Sequence, residues 1–126
     1  MLAVRNPGAV SAAPSRPSAP AIDLVHLARQ TDGDAALEAE LLGMFDRQSA
    51  KLVARLAMTD APRRARADIA HRLRGSALAI GAGRVAAEAE AVEKALETSD
   101  AEPEAELTEL AEAVREARAS ISALNG

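Results

Sequence analysis

The chain has no cysteine, tryptophan or tyrosine, and a single phenylalanine. Without cysteine there are no disulfide staples and no thiolate metal ligands. Two histidines, His26 and His71, are too few for an all-histidine metal centre. One aromatic ring in 126 residues leaves almost nothing to stack on single-stranded nucleic acid. No apolar run approaches the ~20 residues that span a bilayer. Residues 1–8 lack the continuous apolar stretch of a secretory leader. Basic residues are not in excess either. There are 15 Lys and Arg against 19 Asp and Glu, a net charge of −4, which argues against a nucleic-acid coat. These absences lead us to expect a soluble, cytoplasmic protein of one domain, with no membrane or nucleic-acid partner.

Alanine is abundant, at 32 residues. It is the best intrinsic helix former, so the composition favours an all-α domain whose core packs Leu, Val, Ile and Ala closely. Residues 1–21 read as a disordered tail, because Pro7, Pro14, Pro17 and Pro20 stand among Ser, Ala and Gly. Helical periodicity begins with a short segment over 22–30, with Ile22, Val25 and Ala28 on one face. A turn at 31–34 follows, with Asp34 as N-cap. The next helix spans about 35–57, with Leu37, Leu41, Phe45 or Met44, Leu52 and Leu56 inward. Thr59 or Asp60 is expected to cap a third helix with Pro62 in its first turn. That helix buries Ile69, Leu73, Ala77 and Ile80 and stops at Gly81-Ala82-Gly83. A fourth carries Val85, Ala89, Val92 and Leu96, and is broken by residues 98–100 and Pro103. The last carries Leu107, Leu110, Val114, Ala117, Ile121 and Leu124. No strand-like alternation and no repeat of 20–50 residues is present. The expected architecture is an antiparallel up-and-down four-helix bundle over 22–126, with a short extra N-terminal helix.

The informative stretch surrounds His71. On the third helix His71 lies two residues before Leu73, about 200° around the axis, so it points to solvent. Gly75 follows one turn later on the same face, where a helical glycine costs ~1 kcal/mol relative to alanine and clears space beside the imidazole. Arg74 places a permanent cation within reach of whatever the ring carries. A neutral imidazole is a competent nucleophile toward phosphorus, and an adjacent guanidinium favours a bound phosphoryl group. No acidic cluster beside His71 and no glycine-rich nucleotide loop accompany it, so a partner would have to supply the metal.

The run His71-Arg72-Leu73-Arg74-Gly75-Ser76-Ala77, followed by Gly81-Ala82, resembles the signature of histidine-containing phosphotransfer (HPt) domains. That pattern is His-x-Leu-Lys-Gly-Ser, then Gly-Ala, then a Leu-Glu pair that is Val92-Glu93 here. Upstream, Leu41-Leu42 with Phe45 and Gly33-Asp34 also resemble family positions, so the likeness covers about 22–124. Val85 and Val92 replace the usual Leu, and Ala89 stands where a small residue such as Cys is common. The resemblance implies a phospho-accepting His71, with Arg74 as the basic neighbour and Gly75 as the clearing glycine. It also implies that Glu93 hydrogen-bonds the imidazole so that Nε2 is free to attack. The partners it implies are receiver domains of response regulators or hybrid kinases, which bring Mg²⁺; the protein has no cofactor of its own. A start at Met1 without a kinase domain fits a free-standing, monomeric carrier.

A docking face of Arg64, Ala67, Asp68, Arg72, Gly75 and Leu78 around His71 is expected. Arg63, Arg64, Arg66, Arg72 and Arg74 crowd this helix, while Glu88 to Glu116 hold most of the acid, so a basic docking face would speed encounter with an acidic partner. His26 reads as a surface or edge-packing histidine. Two alternatives share some of these features. In a helix-turn-helix, the arginines would contact DNA, but Glu88, Glu90, Glu93 and Glu97 would repel it. A helical adaptor would not need His71.

Overall fold

Asp23 and Asp34 start the first two helices by the same means. The Asp23 carboxylate accepts from the amide of His26, and that of Asp34 from the amide of Leu37, both at 3.1 Å. Each satisfies an amide left without an intrahelical partner. The structure, a computed structural model, describes residues 20–125. The helices are α1 (Leu24–Thr31), α2 (Ala35–Leu56), α3 (Arg63–Ile80), α4 (Gly83–Thr98) and α5 (Glu104–Asn125). Among the described residues there is no strand, and no helix long and apolar enough to cross a membrane. The tail expected over 1–21 lies outside the described residues, apart from Pro20 and Ala21.

Two helices end through left-handed residues. Asp32 (φ 54°) closes α1, where the amides of Asp32 and Gly33 reach back to the carbonyls of Arg29 and Ala28. Gly81 (φ 80°) closes α3, where the amides of Gly81 and Ala82 reach the carbonyls of Leu78 and Ala77. This paired pattern satisfies the last carbonyls of the helix.

The core forms between four helices. α2 packs on α3 and α5, and α4 packs on the same two, which closes a ring; α1 lies against α2 and α3. The α3/α4 interface is the most extensive. Ala70 and Ala77 of α3 and Ala86 and Ala89 of α4 are all buried, and side chains this small let the two backbones approach closely. Every expected core residue of α4 is buried, as are Ile69, Leu73, Ala77 and Ile80 of α3.

Four details depart from the expectations. In the α1 region Ile22, Leu27 and Thr31 are buried, whereas Val25 is 62% exposed. Ile22 precedes the helix, so its direction does not follow the helical period used to place Val25 and Ala28. In α2, Leu42, Phe45, Ser49, Leu52 and Leu56 are buried, and Leu37 and Met44 stay exposed. α3 begins at Arg63 after Pro62 with no side-chain cap; Thr59 and Asp60 sit upstream in a turn. Leu124, in the last turn of α5, is half exposed, and Ala113 is buried in addition to the expected stripe.

Two arginines of α3 join this framework. Arg66 is buried, and its Nε and Nη2 donate to the Leu56 carbonyl at 3.1 and 2.7 Å. Its guanidinium also meets both carboxylate oxygens of Glu102, in the segment between α4 and α5. The Arg66 hydrogen bond holds the Glu102 carboxyl below the usual carboxylate range. Arg63 donates to the carbonyls of Ala95, Leu96, Ser99, Asp100 and Ala101, closing the C-terminal end of α4 with a positive charge. Neither belongs to the solvated basic face expected for α3. Arg66 falls three residues before Ile69 and seven before Leu73, on the core stripe itself.

A carboxylate whose folded pKa is lowered contributes stability above its unfolded value of ~4.3, and that contribution is lost as pH falls through the folded value. Glu102→Gln is therefore expected to lower unfolding free energy at pH 7 by ~2 kcal/mol and to remove part of the acid-side loss, measured by urea titrations between about pH 3 and 7. Gly81 yields a second expectation. An added Cβ would meet the Asp23 carbonyl oxygen at 2.8 Å, in a backbone conformation that disfavours side chains. Gly81→Ala should destabilise by ~2 kcal/mol, visible as a lowered melting temperature.

Candidate functional site

Helical geometry places His71 outside the core and α4 brings its partner. The His71 side chain is 63% exposed, and its Nδ1 lies 3.2–3.3 Å from the two carboxylate oxygens of Glu93. The two residues are 22 apart in sequence, and Gly81-Ala82 lies almost midway between them. The α3–α4 turn therefore sets their meeting. A carboxylate only accepts, so Nδ1 carries the hydrogen and donates it. In the neutral ring this leaves the lone pair on Nε2, the nitrogen directed away from Glu93.

The surroundings of Nε2 are open. Gly75 is exposed, and beyond its chain neighbours and the backbone of its own helix no described atom lies within 4 Å of the place where its Cβ would be. A Cβ there would meet no other part of the described protein, so the opening matters to something arriving from outside. Arg74 is half-buried, about 60° from His71 on the α4 side of the helix, and has no ion-pair partner among the described residues.

Arg64, Asp68, Arg72 and Leu78 are exposed on α3. With His71 and Gly75, the residues Arg64, Asp68 and Leu78 fall within about 40° of one line along the helix; Arg72 flanks that line on the side away from Glu93. Ala67 does not belong to the expected docking face. It is 5% exposed, because its single methyl lies on the side of the line nearer α4 and is covered there. His26 is half-buried, and its Nε2 donates to the Leu78 carbonyl at 2.9 Å, as an edge-packing histidine would. This bond and the Asp23 amide on the Gly81 carbonyl (2.9 Å) anchor α1 to the end of α3.

Two of the five arginines expected on a basic face are thus engaged inside the framework. The sequence does carry a sign for Arg66, its place on the core stripe, but none for its distant partner Glu102. Nothing local marks Arg63 either, since its acceptors are backbone carbonyls 32 to 38 residues away.

An exposed imidazole with one nitrogen tied to a carboxylate, the other free, and a cleared helix face beside it is suited to accept an electrophilic group from a second molecule. Comparison with known proteins bears on what that group is. No curated protein and no solved structure matches the chain. Residues 40–123 match the family model described as the Hpt domain, and the match takes in α3, α4, His71 and Glu93. Well over half of the chain lies in it, and the chain belongs to the Hpt domain family, the phosphotransfer domains of phosphorelays.

Proposed function

We propose that this protein takes a phosphoryl group from the aspartyl phosphate of one receiver domain onto Nε2 of His71 and passes it to the aspartate of another. The observation that carries the reading is the His71–Glu93 contact, which leaves Nε2 as the free nitrogen of an exposed ring. In the forward step the Nε2 lone pair attacks phosphorus. The P–N bond forms, the acyl P–O bond breaks, and the receiver's aspartate leaves as a carboxylate. The ring keeps its Nδ1 hydrogen and becomes a cation, which the Glu93 carboxylate faces directly. The reverse step returns the electron pair to Nε2 when the second aspartate attacks.

Other groups assist. Arg74 offsets the added negative charge. Gly75 lets the partner approach in line with the acyl P–O bond. Arg64, Asp68, Arg72 and Leu78 meet its surface. Among the described residues no group of three or more His, Asp or Glu is placed to hold a metal ion. The reading takes Mg²⁺ from the receiver and gives this protein no kinase activity of its own. The scaffold is an antiparallel up-and-down bundle of α2–α5, with α1 as the added helix. The ring of adjacent helices and the pairs Arg63–Leu96, His71–Glu93 and Asp46–Arg118 support that topology. The carrier acts as a cytoplasmic monomer.

The test is transfer from a phosphorylated receiver domain with Mg²⁺. Wild-type protein should acquire a label that is lost in acid and survives alkali, as a phosphoramidate is. His71→Gln should fold with stability within ~0.5 kcal/mol of wild type, as an exposed change does, and take up no label. Full labelling of that variant would sink the proposal. Gly75→Gln should raise helix stability by up to ~1 kcal/mol and slow transfer by about 10- to 100-fold by displacing the partner. An unchanged rate would show that the clearance plays no part.

A further inference from the structure

Thirteen Lys and Arg lie among the described residues, and they divide by their partners. Arg66, Arg84, Arg115 and Arg118 are paired with carboxylates. Arg63 is held by carbonyls. Among the described residues the other eight have no ion-pair partner, and six of these stand on α2 and α3: Arg47, Lys51, Arg55, Arg64, Arg72 and Arg74. All but Arg74 are exposed. The two helices and their connection, residues 35–80, carry eight basic against five acidic side chains, whereas residues 83–125 carry four against eleven. The small net charge hides a molecule with one positive and one negative side.

The α2 cations form a ridge. Arg47, Lys51 and Arg55 are four residues apart, so they climb one face in successive turns. Asp46, Ala50 and Val53 face α5, through the Asp46–Arg118 pair and a groove shared with Val114. The ridge is therefore turned outward and toward α3. Leu56 and Arg66 are level with one another, through the bonds from Arg66 to the Leu56 carbonyl. Counting back along α2 and forward along α3 puts Lys51 level with His71, Arg47 level with Gly75 and Arg55 level with Ala67. Arg72, on the side of α3 away from Glu93, lies between the ridge and His71. The exposed acids of these two helices and their connection are Glu40, Asp60 and Asp68, fewer than the cations.

We infer that the ridge Arg47–Lys51–Arg55 is an electrostatic guide that draws the acidic, phosphorylated face of the receiver domain onto His71. The inference rests on the phosphotransfer reading above. A receiver that holds Mg²⁺ beside an aspartyl phosphate must gather carboxylates around that site, and the phosphoryl group adds further negative charge. Such a face is attracted by the α2–α3 side and repelled by the α4–α5 side, so encounter is oriented before contact. Guiding of this kind acts on the association rate and fades as salt screens it. It does not act on the chemical step, because the ridge is a helix away from Nε2. Duplex DNA is the less favoured occupant, since the eleven acidic residues of the other side would repel it.

The probe is the receiver domain that transfers fastest to wild-type His71, phosphorylated in the presence of Mg²⁺. Two triple variants are compared with wild type, one with Arg47, Lys51 and Arg55 changed to Glu and one with the same three changed to Gln. Thermal melts check that each is folded. At about 20 mM salt, where screening is weak, kcat/KM for transfer should fall ~10-fold or more in the Glu variant and less in the Gln variant. The rate at saturating receiver should stay near wild type. Near 0.5 M salt the three proteins should converge. Equal kcat/KM at low salt would overturn the guide, as would a deficit that persists at high salt or appears in the saturated rate. So would variants that transfer normally but lose binding to a DNA duplex seen with wild type. If wild type itself takes no label on His71, the phosphotransfer reading fails, a result distinct from all of these.

Discussion

The geometry of the site depends on the turn that joins α3 to α4. Gly81 takes a left-handed conformation there, with the Asp23 backbone so close that an added Cβ would clash with it. With the turn fixed, each residue of α3 has a set counterpart on α4, and His71 finds Glu93 about ten residues along either arm. A slip of one residue would carry the carboxylate about 100° around α4 and break the contact. The alanines of the α3/α4 interface hold the two arms close enough for two side chains to bridge them. α1, bound to Gly81 and Leu78, braces this turn from outside.

Much of this was legible in the sequence because it is local. Helix stops such as Gly81 and caps such as Asp34 act within a few residues. The stripe Ile69, Leu73, Ala77 and Ile80 placed His71 outside the core by counting alone. The pairing with Glu93 came from resemblance to the HPt pattern, and the structure places the two side chains in contact. What the sequence concealed is set over distance. Arg66 stands on the core stripe, but its role shows only once Glu102 and the Leu56 carbonyl are brought to it by two other segments. Ala67 looks like part of an exposed line until α4 covers it. The inward face of α1 depends on how a short helix lies across two others, which its eight residues do not encode alone.

The positive charges also divide by task. Those nearest the α4–α5 connection hold the frame: Arg63 closes a helix end and Arg66 joins three segments. Those on α2 and the outer face of α3 have no ion-pair partner among the described residues. A net charge of −4 conceals this division, because charge summed over a chain says nothing of which side chains are already neutralised by neighbours.

The exposure of His71 also bears on how much the molecule can register. The ring stands outside the packed interior, and among the described residues it is tied only to a carboxylate on the rim. A group added at Nε2 extends into solvent, where it displaces no core side chain and strains no backbone. On the proposed reading the loaded and unloaded forms would share one shape. A protein of that kind would hold its message as cargo, and whatever senses the difference would have to be the molecule that docks.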